Sequence, residues 1–234
     1  MERKFKFNED EFYHIYNRGT DKRSIFLDHD DYRYFQKLLY MCNSAKRIIL
    51  RDLPRGIDVY SVKRENTVVD IGAYCLMPNH FHLLLFERKD GGISTFMNKL
   101  STAYAVYFNK KYKRTGGLFE DSFKAVYVVE DGYLEYLFSY IHLNPIKLIQ
   151  SDWKIKGIKN LKEARAYLDE HNYSSYQDYL GNVRKENSIL QKSNFPEYFH
   201  GIQDFKKITD DWLNYATQFN VDGTILISTQ GNLV

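Results

Sequence analysis

Two β-prone runs that nearly touch constrain this chain more than any other feature in it. Thr67 to Leu76 is dense in β-branched and aromatic residues and ends at Met77-Pro78-Asn79, and His80-Phe81-His82-Leu83-Leu84-Leu85-Phe86 begins directly beyond that break. The spacing predicts a hairpin or bulged turn in the middle of a sheet. Side chains alternate along a strand, so His80 and His82 project from one face while Phe81 points into the opposite layer. Two neutral imidazoles so placed suit chelation of a divalent cation. Packing or hydrogen bonding is the ordinary use of strand histidines, and the spacing alone leaves both open.

The other elements arrange themselves about that pair. Phe12-Tyr13-His14-Ile15-Tyr16 is β-prone and stops at the turn signal Asn17-Arg18-Gly19. Asp28 is placed to cap a helix from His29 to Cys42, in which Tyr32, Phe35, Leu38 and Leu39 are spaced for one buried face. Residues 43–66 are mixed and charged around Pro54-Arg55-Gly56 and read as a surface excursion, with Asp58 to Lys63 as its strand candidate. From Ile93 to Tyr112, Phe96, Met97, Leu100, Tyr104, Tyr107 and Phe108 keep helical spacing. Thr115-Gly116-Gly117 closes that region, and Phe123 to Val129 reads as a strand. A third helix is expected from Asp131, burying Leu134, Leu137, Phe138 and Ile141 and stopping around Asn144-Pro145. The order β-α-(β)-β-β-α-β-α indicates an α+β protein whose sheet carries helices on one face. Composition changes after residue 150, which divides the chain into a core, 1–150, and an extension, 151–234. The extension holds polar loops, the cluster Tyr173-Ser174-Ser175-Tyr176 and an amphipathic helix expected over Ile202 to Phe219.

With 234 residues, 44% hydrophobic and 27% charged, and only 13 Gly and 4 Pro, the chain can bury a real core, which excludes disordered, collagenous and low-complexity readings. No stretch approaches the ~18 apolar residues of a membrane span. Met1-Glu2-Arg3-Lys4-Phe5-Lys6 has no apolar run behind its charges, so a cytoplasmic protein without a membrane partner is expected. Cys42 and Cys75 lack metal-type spacing and read as reduced packing residues.

A net charge of +3 is too mild to name a nucleic-acid partner by itself. Its distribution says more, because Lys99, Lys110, Lys111, Lys113, Arg114 and Lys124 face only Glu120 and Asp121 within one segment. Many of the 20 tyrosines sit beside Lys or Arg, and aromatics interleaved with bases suit single-stranded nucleic acid, where bases stack and phosphates pair. Solvated basic helix ends and amphipathic core tyrosines account for the same pattern.

On the third helix, Tyr140 and Asn144 are four residues apart and hence about 40 degrees apart around the axis. They share a face that flanks the apolar stripe of Leu134, Leu137 and Ile141, from which Tyr140 can reach a site at the sheet edge. A phenol with a pKa near ~10 attacks phosphorus well only when its proton is removed or its oxyanion is stabilised by a cation. A single helical tyrosine is, taken alone, ordinary amphipathic packing.

Three ordered segments carry a resemblance. Tyr13-His14-Ile15-Tyr16-Asn17-Arg18-Gly19, Met77-Pro78-Asn79-His80-Phe81-His82 and Tyr140-Ile141-His142-Leu143-Asn144-Pro145-Ile146-Lys147 resemble the REP-associated tyrosine transposases, relatives of the insertion-sequence single-strand transposases. Arg114-Thr115-Gly116-Gly117-Leu118-Phe119 through Phe123-Lys124, and Tyr173-Ser174-Ser175-Tyr176, are similar to two further blocks of that family. The resemblance spans residues 11–181.

It implies a ferredoxin-like antiparallel sheet of the HUH endonuclease kind, acting on single-stranded DNA beside palindromic hairpins. On that implication His80, His82 and Asn144 hold the metal and Tyr140 is the nucleophile. The product is a 5′-phosphotyrosine and a free 3′-hydroxyl, which another 3′-hydroxyl can rejoin without ATP. The chain accordingly has no Gly-x-x-x-x-Gly-Lys-Ser/Thr loop. Two imidazoles, an amide oxygen, water and phosphate oxygens suit Mg or Mn better than a closed zinc site. Arg18, Lys113, Arg114, Lys124 and Lys147 are the expected phosphate contacts, and monomer and homodimer both stand open. Two other readings remain: a domesticated hairpin-binding protein without transposition, and a metal-dependent nuclease that uses water, with Tyr140 as packing.

Overall fold

The computed structural model describes residues 6–46, 49–196 and 201–214. Its first half runs β1 (Phe12–Arg18), α1 (His29–Cys42), β2 (Val69–Met77), β3 (His80–Glu87), α2 (Gly92–Lys111), β4 (Lys124–Val128). The strands form one antiparallel sheet in the order β2-β3-β1-β4, the ferredoxin-like arrangement in which two β-α-β units interleave. β2 and β3 are the hairpin expected from their adjacency, turning at Pro78-Asn79.

Alternation sends Tyr13, Ile15, Phe81, Leu83 and Leu85 to one face, against α1 and α2. Phe81 meets Phe35 of α1 with ring centroids 5.1 Å apart, and Tyr74 of β2 takes a hydrogen bond from Gln36 at 3.1 Å. α1 begins where its cap was expected, with Asp28 accepting from the Asp31 N–H at 3.0 Å.

The opposite face of the sheet, bearing His14, Tyr16, Cys75 and His82, is closed by α3 (Asp131–Leu143). Every residue of β2 is buried, as a strand covered on both faces must be. Pro145 does not throw the chain away from the sheet. Asn144 keeps helical angles and the chain tightens into a 3-10 turn over Asn144–Leu148, the proline falling in its first turn where no N–H is missed.

The extension follows as α4 (Trp153–Lys156), α5 (Leu161–Glu170), α6 (Tyr176–Tyr179) and α7 (Ile202–Asn214). The helix expected over Ile202 to Phe219 is seen to Asn214; residues 215–219 lie outside the described residues. Tyr173-Ser174-Ser175 lies along the outer edge of β2: Leu76 N–H donates to the Tyr173 carbonyl and Ser175 N–H to the Tyr74 carbonyl, both at 2.9 Å. The Ser175 hydroxyl accepts from the Tyr74 N–H at 2.9 Å. Where the β2 register shifts at Gly72, the Tyr179 hydroxyl donates to the Gly72 carbonyl at 2.7 Å and the Phe195 ring lies where a Cβ would stand, 2.3 Å away. Trp153, Leu168, Tyr179 and Phe205 join the same buried apolar cluster as the sheet.

The strand candidate Asp58 to Lys63 is instead a single 3-10 turn, Val59–Ser61. Asp58 caps it through the Tyr60 N–H at 3.3 Å, a local bond that competes with strand pairing. Among the described residues no helix is long and apolar enough to cross a membrane.

Candidate active site between the sheet and α3

His80 and His82 share a face with His14 and Tyr16, because β1 and β3 pair with Tyr16 opposite His82 and Arg18 opposite His80. The His82 and His14 rings stack with centroids 5.1 Å apart, and His82 Nδ1 lies 2.9 Å from His14 Nε2. His80 stands at right angles to His82 with centroids 5.0 Å apart, its Nδ1 2.6 Å from Asn79 Oδ1.

α3 lowers Tyr140 onto this row. Its ring is edge-on to His82 with centroids 5.5 Å apart and to His14 at 6.1 Å. Asn144, one turn on, is fully buried and donates from Nδ2 to the Tyr140 carbonyl at 3.0 Å. That bond closes the helix end and leaves Asn144 Oδ1 buried without a hydrogen-bond partner, and His82 Nε2 is orphaned in the same way. Unpaired buried polar atoms are rare enough to call for a reason. Among the described residues no group of three or more His, Cys, Asp and Glu gathers as a metal cage, so any cation here would rest on imidazoles and an amide.

Burial sets the protonation states. It pushes His14 down to about 3 and His80 down to about 4, and takes His82 well below its ordinary value, with neighbouring positive groups adding to each. All three imidazoles are therefore neutral, the form that binds a metal. Burial raises the Tyr140 phenol above its usual value while the Asn144 side chain pulls it back.

Two lysines complete the surroundings of Tyr140: the Lys154 ammonium lies 3.6 Å from its ring centroid and that of Lys147 5.5 Å. Tyr136, one turn back on α3, has its ring against Tyr140 at 5.9 Å and against Trp212 of α7 at 4.9 Å.

The residues singled out in the sequence thus separate into two groups. His80, His82, Tyr140 and Lys147 are linked ring to ring and cation to ring, and Asn144 is tied to the Tyr140 carbonyl. Arg18 and Lys124 lie on the same face of the sheet, Lys124 exposed opposite Tyr16 and Arg18 ion-paired to Glu120 at 2.5 Å. Lys113 and Arg114 do not join them. They follow the end of α2, in the layer across the sheet, with Lys113 in the left-handed region at φ 52° and the Arg114 guanidinium 5.7 Å from the Phe108 ring centroid.

Sequence reasoning missed His14 and Lys154. Strand parity groups His14 with Tyr16, but which strand lies alongside is not written locally. Lys154 carries no local signal, because α4 folds back onto α3 only through tertiary packing.

A family model described as "Transposase IS200 like" matches residues 11–144, more than half of the chain. No curated protein matches in sequence. Among solved structures, the chain is similar to a REP-associated tyrosine transposase bound to a REP hairpin, at a TM-score of 0.49 and 14% identity, over 80% of this chain and 89% of that one. A putative transposase from Deinococcus radiodurans gives 0.35 and 16% over 60% and 95% of the two chains. The tRNA(His) guanylyltransferase of Saccharomyces cerevisiae gives 0.34 and 15% over 85% and 86%.

Proposed function

The chain belongs to the IS200-like transposase family, and from that premise we propose that it cleaves and rejoins single-stranded DNA beside hairpins through a 5′-phosphotyrosine on Tyr140. One observation carries the reading: a half-buried tyrosine edge-on to His82 at 5.5 Å, with His82 Nε2 and, one turn on along α3, Asn144 Oδ1 both buried lone-pair donors without hydrogen-bond partners.

Those donors fit a divalent cation. An amide oxygen only accepts, so with Asn79 Oδ1 at 2.6 Å the proton of His80 sits on Nδ1 and its Nε2 keeps a free lone pair. With His82 Nδ1–H donating to His14 Nε2, the His82 Nε2 lone pair is presented in the same way. His14 then acts through His82, fixing its tautomer and ring plane. Mg or Mn held by His80, His82 and Asn144 would polarise the scissile phosphorus and ease departure of the 3′-oxygen.

The chain's own groups do the rest. The Tyr140 oxygen forms the bond to phosphorus, the bond from phosphorus to the 3′-oxygen breaks, and the proton lost by the phenol is balanced by the one gained at the 3′-hydroxyl. The phosphodiester energy stays in the phosphotyrosine, so a 3′-hydroxyl reverses the step and no nucleotide is consumed. Burial raises the phenol above its ordinary value, so its proton has to leave as the bond to phosphorus forms.

The test is denaturing electrophoresis of end-labelled hairpin DNA with Mg or Mn, using wild type, Tyr140→Phe, Tyr133→Phe and Tyr136→Phe. Only Tyr140→Phe is expected to lose the protein-linked 5′ product while keeping DNA binding. An adduct at the wild-type rate from Tyr140→Phe overturns the mechanism. A water-using nuclease gives free 5′ ends from all four proteins, and a binding-only descendant gives hairpin affinity with no cleavage.

A further inference from the structure

Lys147 and Lys154 both lie beyond the residues that the family model matches, and both bring an ammonium group to the ring of Tyr140. The local fold explains how. The 3-10 turn after α3 carries Lys147, the Gln150 N–H closes onto the Ile146 carbonyl at 2.8 Å, and buried Trp153 anchors the four-residue α4. Its neighbour Lys154 is thereby turned back onto α3, half-buried, 3.6 Å from the Tyr140 ring centroid.

Both lysines sit where their charge is disfavoured. Burial lowers the pKa of each, and Lys154 is pushed down to about 6, with the charge of Lys147 adding to the effect. An anion arriving at the Tyr140 ring meets both side chains at once, and its charge favours the protonated form of each.

We propose that Lys147 and Lys154 form a phosphate clamp over Tyr140, so that the extension supplies half of the grip on the DNA backbone where the strand is attacked. The clamp rests on the reading of this face as the strand-cleaving site. It assigns to the extension a direct part in substrate binding, and to Lys154 a contact with substrate.

Lys154→Met keeps the stem and removes the charge; Lys154→Arg restores it. Binding of fluorescein-labelled oligothymidylate to the full chain is measured by anisotropy over a salt series, and melting is followed with and without inorganic phosphate. Lys154→Met should weaken oligothymidylate binding by about tenfold and flatten the salt slope by about 0.7. It should also lose the stabilisation that inorganic phosphate gives wild type, with the melting point of the free protein not lowered. Lys154→Arg should recover the affinity. Unchanged affinity in Lys154→Met overturns the clamp, and so does a fall in melting point together with affinity, which marks a structural lysine. Wild type that ignores oligothymidylate yet shows a Lys154-dependent response to phosphate overturns the strand reading and leaves the clamp standing.

Discussion

His14 and His142 are held at about 3 by burial, and this sets how the protein responds to acid. In the unfolded chain each takes up a proton as pH falls past ~6.5, whereas the folded site refuses it until pH 3 is approached. The contribution to stability is therefore complete above 6.5 and is lost as pH falls through that window. Each such histidine contributes a slope of about 1.4 kcal/mol per pH unit. Urea midpoints at pH 7, 6 and 5 should fall steadily, and equal midpoints would contradict neutral buried imidazoles. At this scale, parts of the site were legible. Strand alternation put His80 and His82 on one face, and a four-residue helical spacing put Tyr140 beside Asn144. What was not legible was partnership: the contact of His14 with His82 depends on register between strands 68 residues apart, and no local pattern encodes register.

At the scale of elements, boundaries written by capping and periodicity came out close to the sequence reading, and those decided by tertiary contact did not. α1 matches its expected span because Asp28 and the Phe35-Leu38-Leu39 stripe act locally. Asp58 to Lys63 misled because a short polar cap outcompeted β propensity. The start of α2 is a further case: its N-terminal N–H groups are met not by a neighbouring cap residue but by Glu87, at the end of β3. That carboxylate, fully buried, accepts from Gly92 N–H at 3.0 Å and Ile93 N–H at 2.7 Å. Gly92 is required by the same close approach, since a Cβ there would stand 2.2 Å from the Val68 carbonyl oxygen. Glu87→Ala should cost about 2 kcal/mol, because it strands the buried Ile93 N–H and removes the carboxylate from a helix N-terminus, Gly92 N–H keeping the Lys89 carbonyl. Chemical denaturation checks it, and a change below the measurement error would show that water replaces the cap.

The molecule as a whole is held to its extension by polar as well as apolar means. Arg184 forms a buried ion pair with Asp178 at 2.5 Å and also donates to the Tyr74 hydroxyl of β2 at 3.1 Å. Removing one partner leaves a charge buried alone, so Arg184→Ala should destabilise by about 3 to 5 kcal/mol. Calorimetry should show this as one lowered transition of the full chain; an unchanged melting point would mean that the extension is not coupled to the sheet. The composition shift after residue 150 gives no sign that Tyr173-Ser174-Ser175 runs along β2, because so short a serine segment has no β pattern to read. That seam has a geometric consequence. A sheet grows by adding strands at its ends, and here the β2 end is already taken by the chain's own residues, while among the described residues nothing pairs with the outer side of β4. Strand addition between copies of this chain can therefore use one end only, and such growth terminates at a closed pair instead of running on into a fibre.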